Sequence, residues 1–180
     1  QGAGRMRFDD VAARLTALGV TIHERSPVLS IRPGVPVRLR CPSGTVRARQ
    51  VINATGAWTD DTQALVGERG QFHVRASKGV HLVVPRDRIH SSTGLILRTA
   101  TSVLFVIPWG RHWIVGTTDT DWDLDKAHPA ASSRDIDYLL DQVNKVLVTP
   151  LTREDVQGVY AGLRPLLSGE SEMSSQLSRE

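Results

Sequence analysis

Four short β-rich runs, residues 80–85, 94–97, 103–108 and 113–117, follow one another with Gly, Pro and charged residues between them. Residues 132–147 then set Ile136, Leu139, Leu140, Val143, Val146 and Leu147 on one face of a helix. A string of short strands followed by one amphipathic helix predicts a single antiparallel-dominated sheet with that helix packed against it. Residues 156–161 supply a last strand, and residues 121–133 read as a linker. Upstream, residues 8–18 predict a helix, with Val11, Leu15 and Leu18 apolar, Asp9 or Asp10 as N-cap and Gly19 as the stop. Strands are expected over residues 20–25, 27–32 and 35–40. A further one, over 45–53 after the Pro42-Ser-Gly turn, is read as buried at its end, and residues 58–66 suit a helix.

The 180 residues have room for one domain with a real core. Hydrophobic content of 40% and charged content of 23% describe an ordinary globular chain. The net charge of +3 comes from 22 basic and 19 acidic residues that are scattered, without an aromatic-interleaved basic stripe, which excludes a nucleic-acid partner as the expectation. Cys41 is the single cysteine, so neither an internal disulfide nor a multi-cysteine metal site is expected. No run approaches the 18 or so apolar residues a membrane span needs, and no signal pattern opens the chain. The expectation is a cytoplasmic protein, or one attached to a membrane only peripherally. The chain starts Gln1-Gly2-Ala3 and stops at Ser178-Arg179-Glu180 after a stretch rich in Ser and Glu, which reads as a piece of a longer protein.

Five segments carry chemistry. Val51-Ile-Asn-Ala-Thr-Gly-Ala-Trp58 reads as a strand running through a small turn into a helix. Such a turn lets backbone approach a dinucleotide closely, and the helix start favours negative charge nearby; many strand-to-helix turns use a glycine without binding anything. Ser77-Lys-Gly-Val-His81 reads as a turn leading into a buried strand, with His81 either a general base or a hydrogen-bonded core residue. Val106-Ile-Pro-Trp109 and Val115-Gly-Thr-Thr-Asp119 read as a hairpin with a Thr-Thr-Asp tip, or an ordinary turn closed by Asp119. In Gly158-Val-Tyr-Ala-Gly-Leu-Arg-Pro-Leu-Leu167, Gly162 frees the backbone and Pro165 fixes its direction. Arg164 is then a held guanidinium for phosphate or carboxylate, or one half of a structural ion pair. The fifth, Ser178-Arg179-Glu180, is too short to interpret unaided.

Asn53-Ala-Thr-Gly-Ala-Trp58, Lys78-Gly-Val-His-Leu-Val-Val-Pro85, Val106-Ile-Pro-Trp109, Gly116-Thr-Thr-Asp119 and Gly162-Leu-Arg-Pro-Leu166 occur in an order and spacing that resembles one family. It is that of the FAD-dependent glycerol-3-phosphate dehydrogenases, in the D-amino-acid-oxidase-like flavoprotein superfamily. The first motif is common to the superfamily; the Lys-Gly-Val-His strand, Gly-Thr-Thr-Asp and the terminal Ser-Arg-Glu are more specific. The resemblance implies a mixed α+β and α/β fold. Part of a Rossmann-like FAD-binding domain would occupy residues 1–70, an antiparallel-sheet substrate domain 71–163, and a return to the first domain 164–180. It also implies oxidation of sn-glycerol 3-phosphate to dihydroxyacetone phosphate, with a hydride passing to FAD and electrons to a quinone. Ala54, Thr55, Gly56 and Trp58 would line the flavin, and Val28 would contact its adenine side through a strand. His81, Arg164 and Arg179 would face the substrate. A peripheral position on the inner face of the cell membrane and a homodimer are compatible with the resemblance.

The family's Gly-x-Gly-x-x-Gly fingerprint belongs upstream of Phe8, and its Gly-Gly-Lys segment beyond residue 180. Neither occurs here, so a central piece that retains no FAD and no turnover alone is the expectation. An amine or amino-acid oxidase of the same superfamily, with Arg164 on a carboxylate, and a non-catalytic remnant of the fold are the alternatives. His81 and Gly116-Thr-Thr-Asp119 argue against the oxidase, and flavin absorbance after FAD addition separates the remnant.

Overall fold

The computed structural model describes residues 7–67, 73–100 and 102–167. The chain divides into two compact units, residues 1–52 and 53–180.

In the first unit, α1 spans Phe8–Ala17 and ends at Gly19, whose φ of +82° is the left-handed stop expected of it. The N-cap is Arg7 rather than Asp9 or Asp10; the Asp10 carboxylate instead accepts from the Arg7 backbone N–H at 3.2 Å. Strands β1 (Ser30–Arg32), β2 (Val37–Cys41) and β3 (Gly44–Ala48) form an antiparallel ribbon in that order. Residues 20–25 are not a strand. Among the described residues no strand pairs with them, and β-branched composition without a ladder partner does not hold an extended chain. For the same reason β3 stops at Ala48, where the ladder with Val37 ends. Among the described residues no strand pairs with residues 49–53, and Ile52, expected to be buried, is 82% exposed.

The second unit opens with a single helical turn, Gly56–Trp58, continuing into α2 (Thr59–Ala64). The 12-residue strand β4 (Val74–Pro85) is its axis. The segment expected as a turn before His81 is thus part of this strand. Strand β9 (Gly158–Leu167) pairs with β4 from Val74↔Leu167 to Val83↔Gly158. The opposite edge of β4 is shared: β7 (His112–Gly116) pairs with residues 81–85 and β8 (Thr120–Asp121) with residues 77–78. Strands β6 (Val103–Trp109) and β5 (Leu95–Arg98) continue the sheet beyond β7. Every pairing is antiparallel, as the short punctuated runs predict.

Helix α3 (Ser133–Asn144) is capped by Ser132, whose hydroxyl accepts from the Asp135 N–H. Its Leu139, Leu140 and Val143 join Val80, Leu82, Val84, Leu104, Val106, Trp113 and Val115 of the sheet in one core. Alternation along β4 turns Val80, Leu82 and Val84 toward α3 and Ser77, Gly79 and His81 to the other face. No helix among the described residues is long and apolar enough to cross a membrane.

Candidate functional site

Between its partners β7 and β8, strand β4 has two residues, Gly79 and Val80. The returning chain has three, Thr117, Thr118 and Asp119. This is a β-bulge, so Thr117, Thr118 and Asp119 do not form a hairpin tip. The β6–β7 turn is made instead by Gly110 and Arg111, with Gly110 at φ +58°. A bulge interrupts the ladder, and the buried Thr118 hydroxyl repairs it: it accepts from Val80 N–H at 3.0 Å and donates to the Lys78 carbonyl at 3.3 Å.

The bulge also builds the cradle for Arg164. Arg164 stands opposite Ser77 on β9, and its guanidinium crosses β4 at Gly79. Nη2 donates to Thr117 Oγ1 at 2.7 Å and Nη1 to the Thr118 carbonyl at 3.2 Å; Asp119 Oδ1 lies 3.9 Å from Nη1. The Ser77 hydroxyl donates to Asp119, whose side chain is only 4% exposed. Two neutral oxygens and the buried Asp119 carboxylate therefore face the guanidinium together. Gly162 has an ordinary strand conformation, so the ladder with β4, not glycine freedom, fixes the backbone before Arg164.

His81 lies on the same face of the sheet. Its ring rests over Gly116, where an added Cβ would sit 2.8 Å from His81 Cγ. Tyr160 stacks on it with centroids 4.9 Å apart and planes 9° from parallel. Burial, and then the positive charge of Arg164, lower the imidazole's pKa below its ordinary 6.5, so the ring is neutral at pH 7. Burial raises the Tyr160 phenol. On the opposite face, buried Lys78 pairs with Asp135 at 2.7 Å. Burial alone would raise the Asp135 carboxyl, but hydrogen bonds from Lys78 and Ser132 hold it below its ordinary value.

The Ala54–Trp58 turn belongs to this unit, and its helical turn packs against β4 and β9. The Asn53 amide closes it, accepting from Thr55 Oγ1 at 2.7 Å and donating to the Thr59 carbonyl at 3.1 Å. Gly56 takes φ +59°, and a Cβ there would meet nothing within 4 Å. Ala54 and Thr55 are exposed and Trp58 is 44% exposed. Small side chains, open backbone and an accessible indole suit the approach of a flat, extended cofactor. The helix start adds no anion site. Asp60 and Asp61 occupy its first turn, bonded to Val74 N–H and Lys126.

His81, Arg164 and the Ala54–Trp58 turn are thus parts of one unit. Val28 lies in the other, half-buried in the irregular stretch before β1 rather than in a strand. Arg179 lies outside the described residues. Sequence reasoning assigned no role to Ser77, Gly79, Gly116, Thr117 or Tyr160. Gly79 was hidden by the reading of residues 77–81 as a turn, and the available signal was Gly116 at the end of a β-rich run.

Comparison with known proteins bears on the same region. The FAD dependent oxidoreductase family matches residues 9–177. The chain belongs to that family. Over 135 residues it is 69% identical to glycerol-3-phosphate dehydrogenase 2 of Mycobacterium tuberculosis, covering 75% of this chain and 23% of that protein. It is 40% identical to the alpha-glycerophosphate oxidase of Streptococcus pneumoniae over 131 residues, 70% of this chain and 22% of the relative. The chain therefore spans about a quarter of the length of the curated relatives it matches. Among solved structures, the Bacillus halodurans glycerol-3-phosphate dehydrogenase complexed with FAD superposes at TM-score 0.74 and 30% identity. The match covers 88% of this chain and 34% of that one. A glycine oxidase from Bacillus cereus shares the fold at TM-score 0.68 and 19% identity.

Proposed function

We propose that this chain is the substrate-facing part of an enzyme that oxidises sn-glycerol 3-phosphate to dihydroxyacetone phosphate. The observation that carries the reading is the bulge-held Arg164 guanidinium on the same sheet face as a neutral His81. The 69% identity to a glycerol-3-phosphate dehydrogenase supports the choice of substrate. A guanidinium fixed through two of its N–H groups is prepared for planar, forked recognition of phosphate, or for polarising the C2 oxygen. His81, uncharged at neutral pH, takes the proton of the C2 hydroxyl. Tyr160 on one side of the ring and Gly116 beneath it limit the directions from which that hydroxyl can arrive. FAD, when bound, supplies the acceptor for the hydride that leaves C2. Ala54, Thr55, Gly56 and Trp58 would hold it, with Val28 toward its adenine, and Arg179 would join Arg164 at the substrate. Family resemblance supports a quinone as the next electron acceptor, a peripheral place on the inner face of the membrane, and a homodimer.

Arg164→Lys in the complete gene product tests the reading. Lysine keeps the charge and loses the fork, so kcat/KM falls about ten- to a hundredfold, the cost of one charge-assisted hydrogen bond. Phosphate binding puts the loss in KM and shrinks it for glycerol; transition-state stabilisation puts it in kcat for both compounds. Unchanged kinetics at unchanged melting temperature would remove Arg164 from the site.

A further inference from the structure

We infer that Gly79 and Thr117 are positioning residues for Arg164, an assignment that rests on the anion-binding reading of that arginine. Glycine weakens the interior of a strand, and here no turn or left-handed backbone asks for one: Gly79 is central in β4 and is not among the glycines with positive φ. What asks for it is the guanidinium. A Cβ at Gly79 would stand 2.7 Å from both Arg164 Cζ and Thr117 Oγ1. The missing side chain is therefore a shallow groove across the strand, and Arg164 lies in it. Thr117 closes the far end, its hydroxyl accepting from Nη2 at 2.7 Å. The groove belongs to β4 and the hydroxyl to the bulged segment between β7 and β8, and the extra residue of the bulge sets Thr117 beside Gly79. Together they convert a side chain of high rotamer freedom into one with a single direction, so less entropy is lost when an anion docks.

The groove's neighbours are side-chain ends, so alanine at position 79 displaces the guanidinium without breaking the ladder between β4 and β9. The test uses the complete gene product with its flavin confirmed by absorbance. It measures kcat and KM for sn-glycerol 3-phosphate, the inhibition constant of inorganic phosphate, and the melting temperature. Gly79→Ala raises KM and the phosphate inhibition constant together, about ten- to a hundredfold, in a variant that still folds and holds its flavin. Thr117→Val shifts both constants in the same direction, and Thr117→Ser, which keeps the hydroxyl, restores most of the loss. A folded Gly79→Ala variant with both constants unchanged overturns the inference. If that variant does not fold, the Thr117 pair decides, and equal constants for Val and Ser overturn it. Arg164→Ala run in parallel separates the two levels. If it leaves both constants unchanged, the functional reading fails and the inference falls with it; if it raises them while Gly79→Ala does not, only the inference fails.

Discussion

The two faces of strand β4 obey different rules although they alternate along the same 12 residues. Toward α3 stand Val80, Leu82 and Val84, each fully buried against Leu139, Val143, Trp113 and Val115. That face is filled as cores are filled, with branched side chains at high density. The other face carries Ser77, Gly79 and His81, and its neighbouring strands add Gly116, Tyr160, Gly162 and Arg164. There, side chains are withheld so that an imidazole and a guanidinium can lie against the backbone. One face stores stability and the other gives some of it up for geometry. Lys78 is the exception: it points toward the core face, where Asp135 meets it at 2.7 Å with both side chains under a tenth exposed.

That exception gives the largest effect. Lys78→Met leaves the Asp135 carboxylate buried without its cation, which costs about 3–5 kcal/mol. Urea unfolding measures it, and adding Asp135→Asn, which removes the charge and keeps an acceptor, recovers most of the loss. No loss in the single variant would mean that the core face tolerates charge. Next comes Leu82→Ala, a cavity at the centre of that face. A stability loss of about 3 kcal/mol is expected, within the usual range for such truncations, with KM for the substrate unchanged in the folded fraction. A raised KM at full stability would erase the division between the faces.

The smallest effect is the pH response of His81 on the open face. Its folded pKa is depressed, so in the window below the ordinary 6.5 the unfolded chain binds the proton first. Stability is therefore undiminished above that value and declines as pH falls toward the folded pKa. His81→Gln flattens this part of the stability profile, and in the parent the acid limb of kcat/KM lies below pH 6.5. An imidazole titration by NMR above 6.5 would contradict the burial of the ring beside Arg164.

Much of this was legible in the sequence. The β-rich runs from residue 80 to 117, helix α3 and its Ser132 start, and the Gly19 stop follow from local chemistry: hydrophobic period, turn formers and caps act over a few residues. The strand expected at residues 20–25 and the buried end expected at 49–53 failed because extended structure depends on a partner, which local composition does not supply. The sequence left His81 open between core residue and base, since period-two alternation names two faces without saying which is buried. The register sets it opposite Tyr160 and Gly116, on the face turned away from α3. The sequence likewise contained Gly79, Thr117 and Arg164 as three unconnected signals. Only tertiary pairing, with three residues of the returning chain set against two of β4, brought them together, because a bulge is a property of two strands and of neither alone.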